Sequence, residues 1–159
     1  MMNISLRNRT DETVKIYFEK ANRPEIKKVL PQKAQTVEEA LEDYRASLLL
    51  GAGSYGRTIY IDENYIGDIW CYCIDVHEEP SAMLSYCIFE KTYWSQGVAT
   101  EAVMMFLKEI QDRYKLRTIG AFTFSENLAS IRVLEKNGFD VIEEFSEDGK
   151  NSKYFQYAY

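Results

Sequence analysis

Residues 82–124 read as three elements in a fixed order: AMLSYCIFE, then KTYWSQGVATEAVMMFLKEIQDRYKL, then RTIGAFTF. The first and last are short runs rich in β-branched and aromatic residues, as strands are. The middle segment repeats its apolar residues at the helical period. Ala99, Val103, Phe106, Leu107, Ile110 and Tyr114 share one face, and Lys108 and Asp112 lie on the other. A strand, a covering helix and a second strand in one sheet make a parallel pair with a right-handed crossover. The chain must therefore build a sheet with at least one parallel step and a helix packed on its face.

The flanking segments add antiparallel strands. RTIYI (57–61) and YIGDIWCYCIDV (65–76) surround the turn Asp62-Glu63-Asn64 and read as a hairpin running on to strand 82–90. DVIEEF and SKYFQYAY read as two closing strands around EDGKN. Upstream, a short strand at 2–7 precedes helices at 10–20 and 24–30. A third helix begins at Thr36, where Glu39 predicts a capping box, and carries Val37, Ala40, Leu41, Tyr44 and Leu48 on one face. Asn127 to Asn137 predicts a final helix, stopped by Gly138, with Phe139 folding back onto it. The order predicts an α+β domain of three layers, with a mixed, mostly antiparallel sheet of six to seven strands and helices on both faces. The 159 residues fit one domain, 1–159.

Composition removes several classes of function. The net charge of −6 argues against a nucleic-acid backbone as partner and is compatible with a cationic substrate. No apolar run approaches a membrane span, and no signal peptide is visible at the start. Three cysteines, Cys71, Cys73 and Cys87, are too few for a disulfide framework, so the expected compartment is a reducing cytoplasm. Cys71 and Cys73 lie two apart in a strand and should face one side. With His77, the single histidine, they lack the spacing of a zinc site, so no metal is expected.

The turn Ser95-Gln96-Gly97-Val98-Ala99-Thr100 carries the functional signal. The first N–H groups of a helix have no internal partner and hold partial positive charge. Gly97 and Ala99 keep side chains out of the way of an approaching anion. The turn lacks the lysine of a Walker loop and the spacing of a dinucleotide fingerprint. By itself it fits either an anion seat or a plain strand-to-helix reversal.

YWSQGVATEA, followed downstream by ENLASIRVLEKNGF, resembles the GCN5-related N-acetyltransferases (GNAT), in the branch of the RimJ/RimL-like ribosomal-protein N-terminal acetyltransferases. The resemblance covers the whole chain. It implies acetyl transfer from acetyl-coenzyme A to a primary amine, either a protein N-terminus or a small molecule; the sequence does not distinguish a monomer from a homodimer. The resemblance further implies that main-chain groups of Gln96, Gly97, Val98, Ala99 and Thr100 hold the pyrophosphate. Cys87, Ile88 and Phe89 would border the pantetheine arm, Asn127 and Ser130 would contact it, and Ser130 would lie near the thioester sulfur.

Several positions depart from the wider family, among them Ala99 in place of the motif's last glycine. Trp94 stands where Gln or Arg is frequent, and Leu134 stands where a tyrosine acid is frequent. Met83 also replaces a glutamate frequent in related strands. An alkyl ammonium must lose a proton before it attacks, and Asp75, Glu90 and Glu126 are the candidate bases. Strand N–H groups near Ile88 and Phe89 are candidate oxyanion donors. Arg132 and Lys136 are candidate phosphate partners. The missing tyrosine and glutamate leave a second reading open, a non-catalytic acyl-CoA-binding module. A third is an unrelated interaction domain whose turn binds nothing.

Overall fold

A computed structural model describes residues 2–159. In chain order the elements are β1 (Ile4–Asn8), α1 (Asp11–Ala21), α2 (Pro24–Lys27), α3 (Val37–Ala46), β2 (Tyr55–Ile61), β3 (Asn64–Asp75), β4 (Ser81–Ile88), α4 (Val98–Tyr114), β5 (Thr118–Phe124), α5 (Leu128–Lys136), β6 (Asp140–Glu147) and β7 (Lys150–Ala158). The strands form one sheet in the order β1-β2-β3-β4-β5-β7-β6. Every neighbouring pair is antiparallel except β4 with β5. The parallel pair is the one expected from the strand–helix–strand passage, because α4 is the crossover between its strands.

Helices cover the two faces with different cores. On one face α4 and α5 bury Val103, Phe106, Ile110 and Leu134 against Ile59, Ile69, Leu84, Ile119 and Phe155. Full burial of a side chain such as Phe106 contributes about 1.5–3 kcal/mol. On the other face α1 and α2 bury Ala21 and Ile26 against Cys87 and Phe89. α3 packs on α1 and has no fully buried residue.

Local chemistry differs from the expectation at three places. At α3 the Thr36 hydroxyl accepts from the Glu39 N–H at 3.1 Å, but the Glu39 carboxylate takes the N–H of Gln35, one residue upstream of the box position. A closed box forms instead on α1, where Thr10 and Thr13 exchange side-chain-to-backbone bonds at 3.1 and 2.9 Å. α3 also stops at Ala46, so Leu48 lies beyond it, 66% exposed, and is not part of the packed stripe. At the end of β3, Cys73 has φ 52° and the pairing with β4 shifts between Tyr72 and Asp75. That bulge breaks the two-residue alternation. Cys71 is fully buried in the core while Cys73 is exposed, so the two thiols do not share a face.

The end of α5 matches its sequence reading. Gly138 has φ 87°, its N–H reaches the Glu135 carbonyl at 3.0 Å, and the Phe139 N–H reaches that of Leu134 at 3.0 Å. This is the double bond pattern of a glycine-terminated helix, and it seats Phe139 in the core.

Candidate active site

β4 and β5 pair only over Ser81–Met83 and Thr118–Gly120. Beyond that, Leu84–Ile88 of β4 and Ala121–Phe124 of β5 run on without pairing to each other, although β3 and β7 continue to pair on their outer sides. The sheet therefore opens into a cleft in its centre. Backbone polar groups along such an edge lack a ladder partner and suit an extended chain carrying amides.

The direction of those groups follows from the register. The Phe89 N–H donates to the Ile66 carbonyl at 2.9 Å, on the β3 side. Successive residues of a strand alternate the edge their N–H and C=O face. Cys87 therefore faces β3 as Phe89 does, while Tyr86 and Ile88 present their main chain to the cleft. The Ile88 carbonyl confirms this direction, since it accepts the Trp94 indole N–H at 2.7 Å from the loop beyond the strand. Of the three strand residues expected along the pantetheine arm, Ile88 alone presents its main chain to the gap. Cys87 and Phe89 are buried beneath α1 and α2. The oxyanion donor expected near Ile88 and Phe89 reduces to Ile88 for the same reason.

At the mouth of the cleft stands the N-terminus of α4. α1, α3 and α5 are each capped by a side chain, from Thr10, Thr36 and Asn127. α4 is the longest helix at 17 residues, yet among the described residues no side chain caps it. Its cap residue is Gly97, at φ 78°, and the first backbone bond is from the Glu101 N–H to the Gly97 carbonyl at 3.1 Å. The N–H groups of Val98, Ala99 and Thr100 precede that bond. A Cβ built on Gly97 would meet no atom within 4 Å, so the seat is open. Ser95 is also left-handed, at φ 62°. The Gln96 carboxamide folds back onto the Thr92 carbonyl at 2.5 Å, which leaves the turn lined by backbone. Uncapped N–H groups at an open left-handed turn are an anion seat. Asn137 holds α5 to this turn by donating to the Thr100 carbonyl at 3.1 Å.

Across the cleft, the Asn127 side-chain oxygen accepts the Ser130 N–H at 3.2 Å and so caps α5. The Ser130 hydroxyl lies 2.9 Å from the Tyr86 hydroxyl. The sequence alone gives this phenol no specific role, since it is one of several aromatics on the strands. Its position two residues before Ile88 on β4, hence on the same face of the strand, was the signal available in the sequence. Burial pushes its pKa up to about 12, with the Ser130 hydrogen bond pulling the other way. Arg132 and Lys136 stand exposed along α5.

The three candidate bases separate. Asp75 pairs opposite Ser81, roughly 20 Å along β4 from Ile88 at strand rise, and its carboxylate accepts the His77 N–H at 3.0 Å. It lies at the closed end of the cleft. Glu90 follows β4 at the open end, where it pairs with Lys20 of α1 at 3.0 Å. Glu126 is exposed in the loop between β5 and α5.

The face opposite α4 and α5 is partly uncovered. Phe122 is 55% exposed there and packs on Tyr154 at 5.0 Å and on Phe145 at 5.9 Å between ring centres. Beside them a cavity of about 370 Å³ is lined by Glu79, Met83, Gly120, Tyr154 and Gln156, among others. Gly120 makes the close approach possible, because a Cβ there would sit 2.5 Å from the Tyr154 hydroxyl and 2.8 Å from the Met83 sulfur.

The family model described as Acetyltransferase (GNAT) domain matches residues 3–140. No curated protein matches the sequence. Among solved structures, the chain resembles the spermidine N-acetyltransferase of Vibrio cholerae in complex with CoA and spermine, at 16% identity and TM-score 0.86, over 98% of this chain and 95% of that one. It resembles RimJ of Mycobacterium smegmatis in complex with CoA-disulfide at 17% identity and TM-score 0.83, over 98% and 81% of the two chains. It also resembles an aminoglycoside acetyltransferase in complex with coenzyme A, at 18% identity and TM-score 0.80, over 98% and 95%.

Proposed function

Because this chain belongs to the GNAT acetyltransferase family, we propose that its central cleft holds acetyl-CoA and delivers the acetyl group directly to a primary amine entering from the opposite face. It is an acetyl-CoA-dependent N-acetyltransferase. The observation that carries the site assignment is the junction of the unpaired β4 edge with the uncapped N-terminus of α4. An amide-bearing arm and the pyrophosphate it leads to need those two features in that order.

The chain's own groups take distinct tasks. The N–H groups of Val98, Ala99 and Thr100 hold phosphate oxygens at the helix start, with Gln96 and Gly97 shaping the turn. The cleft-facing main chain of Tyr86 and Ile88 holds the arm, and the Ile88 N–H supports charge developing on the acetyl oxygen. Trp94 fixes the turn to the strand end through its bond to Ile88. Asn127 fixes the first turn of α5 and with it Ser130, beside the sulfur. Acetyl-CoA supplies the thioester.

The acceptor enters over Phe122 and Tyr154, beside the cavity that Glu79 helps to line. The exposed aromatic surface suits the apolar stem of an amine or the first residues of a peptide. Glu90, which pairs with Lys20, and the exposed Glu126 are the candidate bases for the ammonium proton, directly or through water.

One observation favours a binding module instead. Leu134, where an acid is frequent in the family, is 1% exposed and packed in the core, so that phenol has no counterpart on α5. A screen of small amines, polyamines and N-terminal peptides separates the readings. Stoichiometric thiol release with acetylated product supports transfer. CoA binding with no thiol release across the panel supports the module and overturns the enzyme.

A further inference from the structure

The structure places a phenol beside the serine, from the opposite wall of the cleft. Tyr86 lies on β4, among the strand residues that face α4 and α5, and it packs at the edge of that core. Its hydroxyl is 2.9 Å from the Ser130 hydroxyl and 3.4 Å from the Ser130 carbonyl. No other side-chain hydrogen bond to the Ser130 hydroxyl occurs among the described residues. We propose that Tyr86 is a positioning residue, which donates its hydrogen bond into Ser130 and thereby turns the serine hydrogen toward the coenzyme sulfur.

The geometry leaves two arrangements of the pair. If serine donates to the phenol, its one hydrogen is taken up and the sulfur meets only lone pairs. If the phenol donates, the serine hydrogen is free to point into the cleft, and the serine oxygen is polarised by the bond it accepts. A departing thiolate carries negative charge, so only the second arrangement stabilises it. The phenol keeps its proton through neutral and mildly alkaline pH because burial raises its pKa.

The step balances without moving that proton. The neutral amine nitrogen bonds to the acetyl carbon, and the carbon–sulfur bond breaks. The sulfur leaves with the electron pair, held by the Ser130 hydroxyl. The new amide nitrogen loses its extra proton to water. Tyr86 is unchanged at the end.

The inference rests on the coenzyme site proposed above, and a probe that needs no acceptor tests it. CoA carrying ¹³C at the carbon bonded to sulfur is bound to the protein, and the thiol is titrated by NMR. A hydrogen bond to the thiolate lowers its pKa. The wild-type complex should titrate below the Tyr86→Phe complex, with a difference of roughly threefold to tenfold in acidity. Ser130→Ala should raise the thiol pKa as well, and adding Tyr86→Phe to it should change nothing more, because both act through one bond. Thermal melts check that each variant folds, and Ser130→Ala tests the serine–sulfur bond on which the link depends if Tyr86→Phe does not fold. Equal titration in wild type and Tyr86→Phe, or equal titration in wild type and Ser130→Ala, overturns the inference while leaving the coenzyme site intact. Failure of the wild type to bind CoA removes the site itself.

Discussion

Gly97 and Gly67 show how differently two glycines act in one fold. Gly97 needs its left-handed φ of 78° but has open space where a Cβ would stand. Gly97→Ala should therefore fold, with stability lower by about 1–2 kcal/mol from the backbone conformation. Its CoA affinity should fall about tenfold, because the strained turn no longer presents its N–H groups as a set. Urea unfolding and calorimetric titration check the two parts. Gly67 lies on β3 against β4, and a Cβ there would be 2.2 Å from the Cys87 carbonyl oxygen. Backbone does not swing aside, so Gly67→Ala should cost roughly 3 kcal/mol by overpacking and push β3 away from β4, on the side of β4 opposite the cleft. The Gly97 turn was legible in the sequence because a glycine at a strand–helix junction has local meaning. Tyr86 was not legible as a partner of Ser130. Its role depends on which face of β4 it takes and on how closely α5 lies over that face, and both are set by pairing with distant segments.

At the scale of elements, the β1–α1 corner is locked to the sheet by charge. Arg9, just past β1, lies with its Nε 3.2 Å from the Asp68 carboxylate of β3, and Tyr65 donates a second bond to the same carboxylate. The Asp68 side chain is 3% exposed and that of Arg9 17%. Gly56 makes room for the guanidinium, since a Cβ there would sit 2.3 Å from its central carbon. Arg9→Met leaves a buried carboxylate without its cation and should cost about 3–5 kcal/mol. The double change Arg9→Met with Asp68→Leu should be less destabilised than Arg9→Met alone, and a urea-unfolding cycle measures the difference. This pair holds α1 over Cys87 and Phe89, on the face proposed for acceptor entry. The elements themselves were readable, because period and capping residues are local. Their ends were less so. α3 stopped short of Leu48, and the bulge at Cys73 turned its thiol away from Cys71. The bulge is set by the pairing of β3 with β4, and α3 ends where the Ser47 hydroxyl bonds back to the Tyr44 carbonyl.

Across the whole molecule, one missing stretch of strand pairing organises the function. Seven strands could close into a continuous ladder, but β4 and β5 part after Met83 and Gly120 and leave a gap through the middle of the sheet. A coenzyme filling that gap joins the two halves, so CoA at a hundredfold excess over Kd should stabilise the fold by about 2.7 kcal/mol. A thermal melt with and without CoA reads this as a rise in Tm. The gap was implicit in the strand–helix–strand order, which demands a parallel pair but does not say how long that pair is. The surface proposed for the acceptor was not legible, because its aromatics, Phe122, Phe145 and Tyr154, come from three strands. The most direct test of the account is the release of free CoA thiol from acetyl-CoA, followed as a panel of primary amines is added to the purified protein. The account predicts thiol release matched one to one by acetylated amine, lost or strongly slowed in Ser130→Ala at saturating acetyl-CoA. Tight CoA binding with no amine-dependent thiol release from any member of the panel would contradict it.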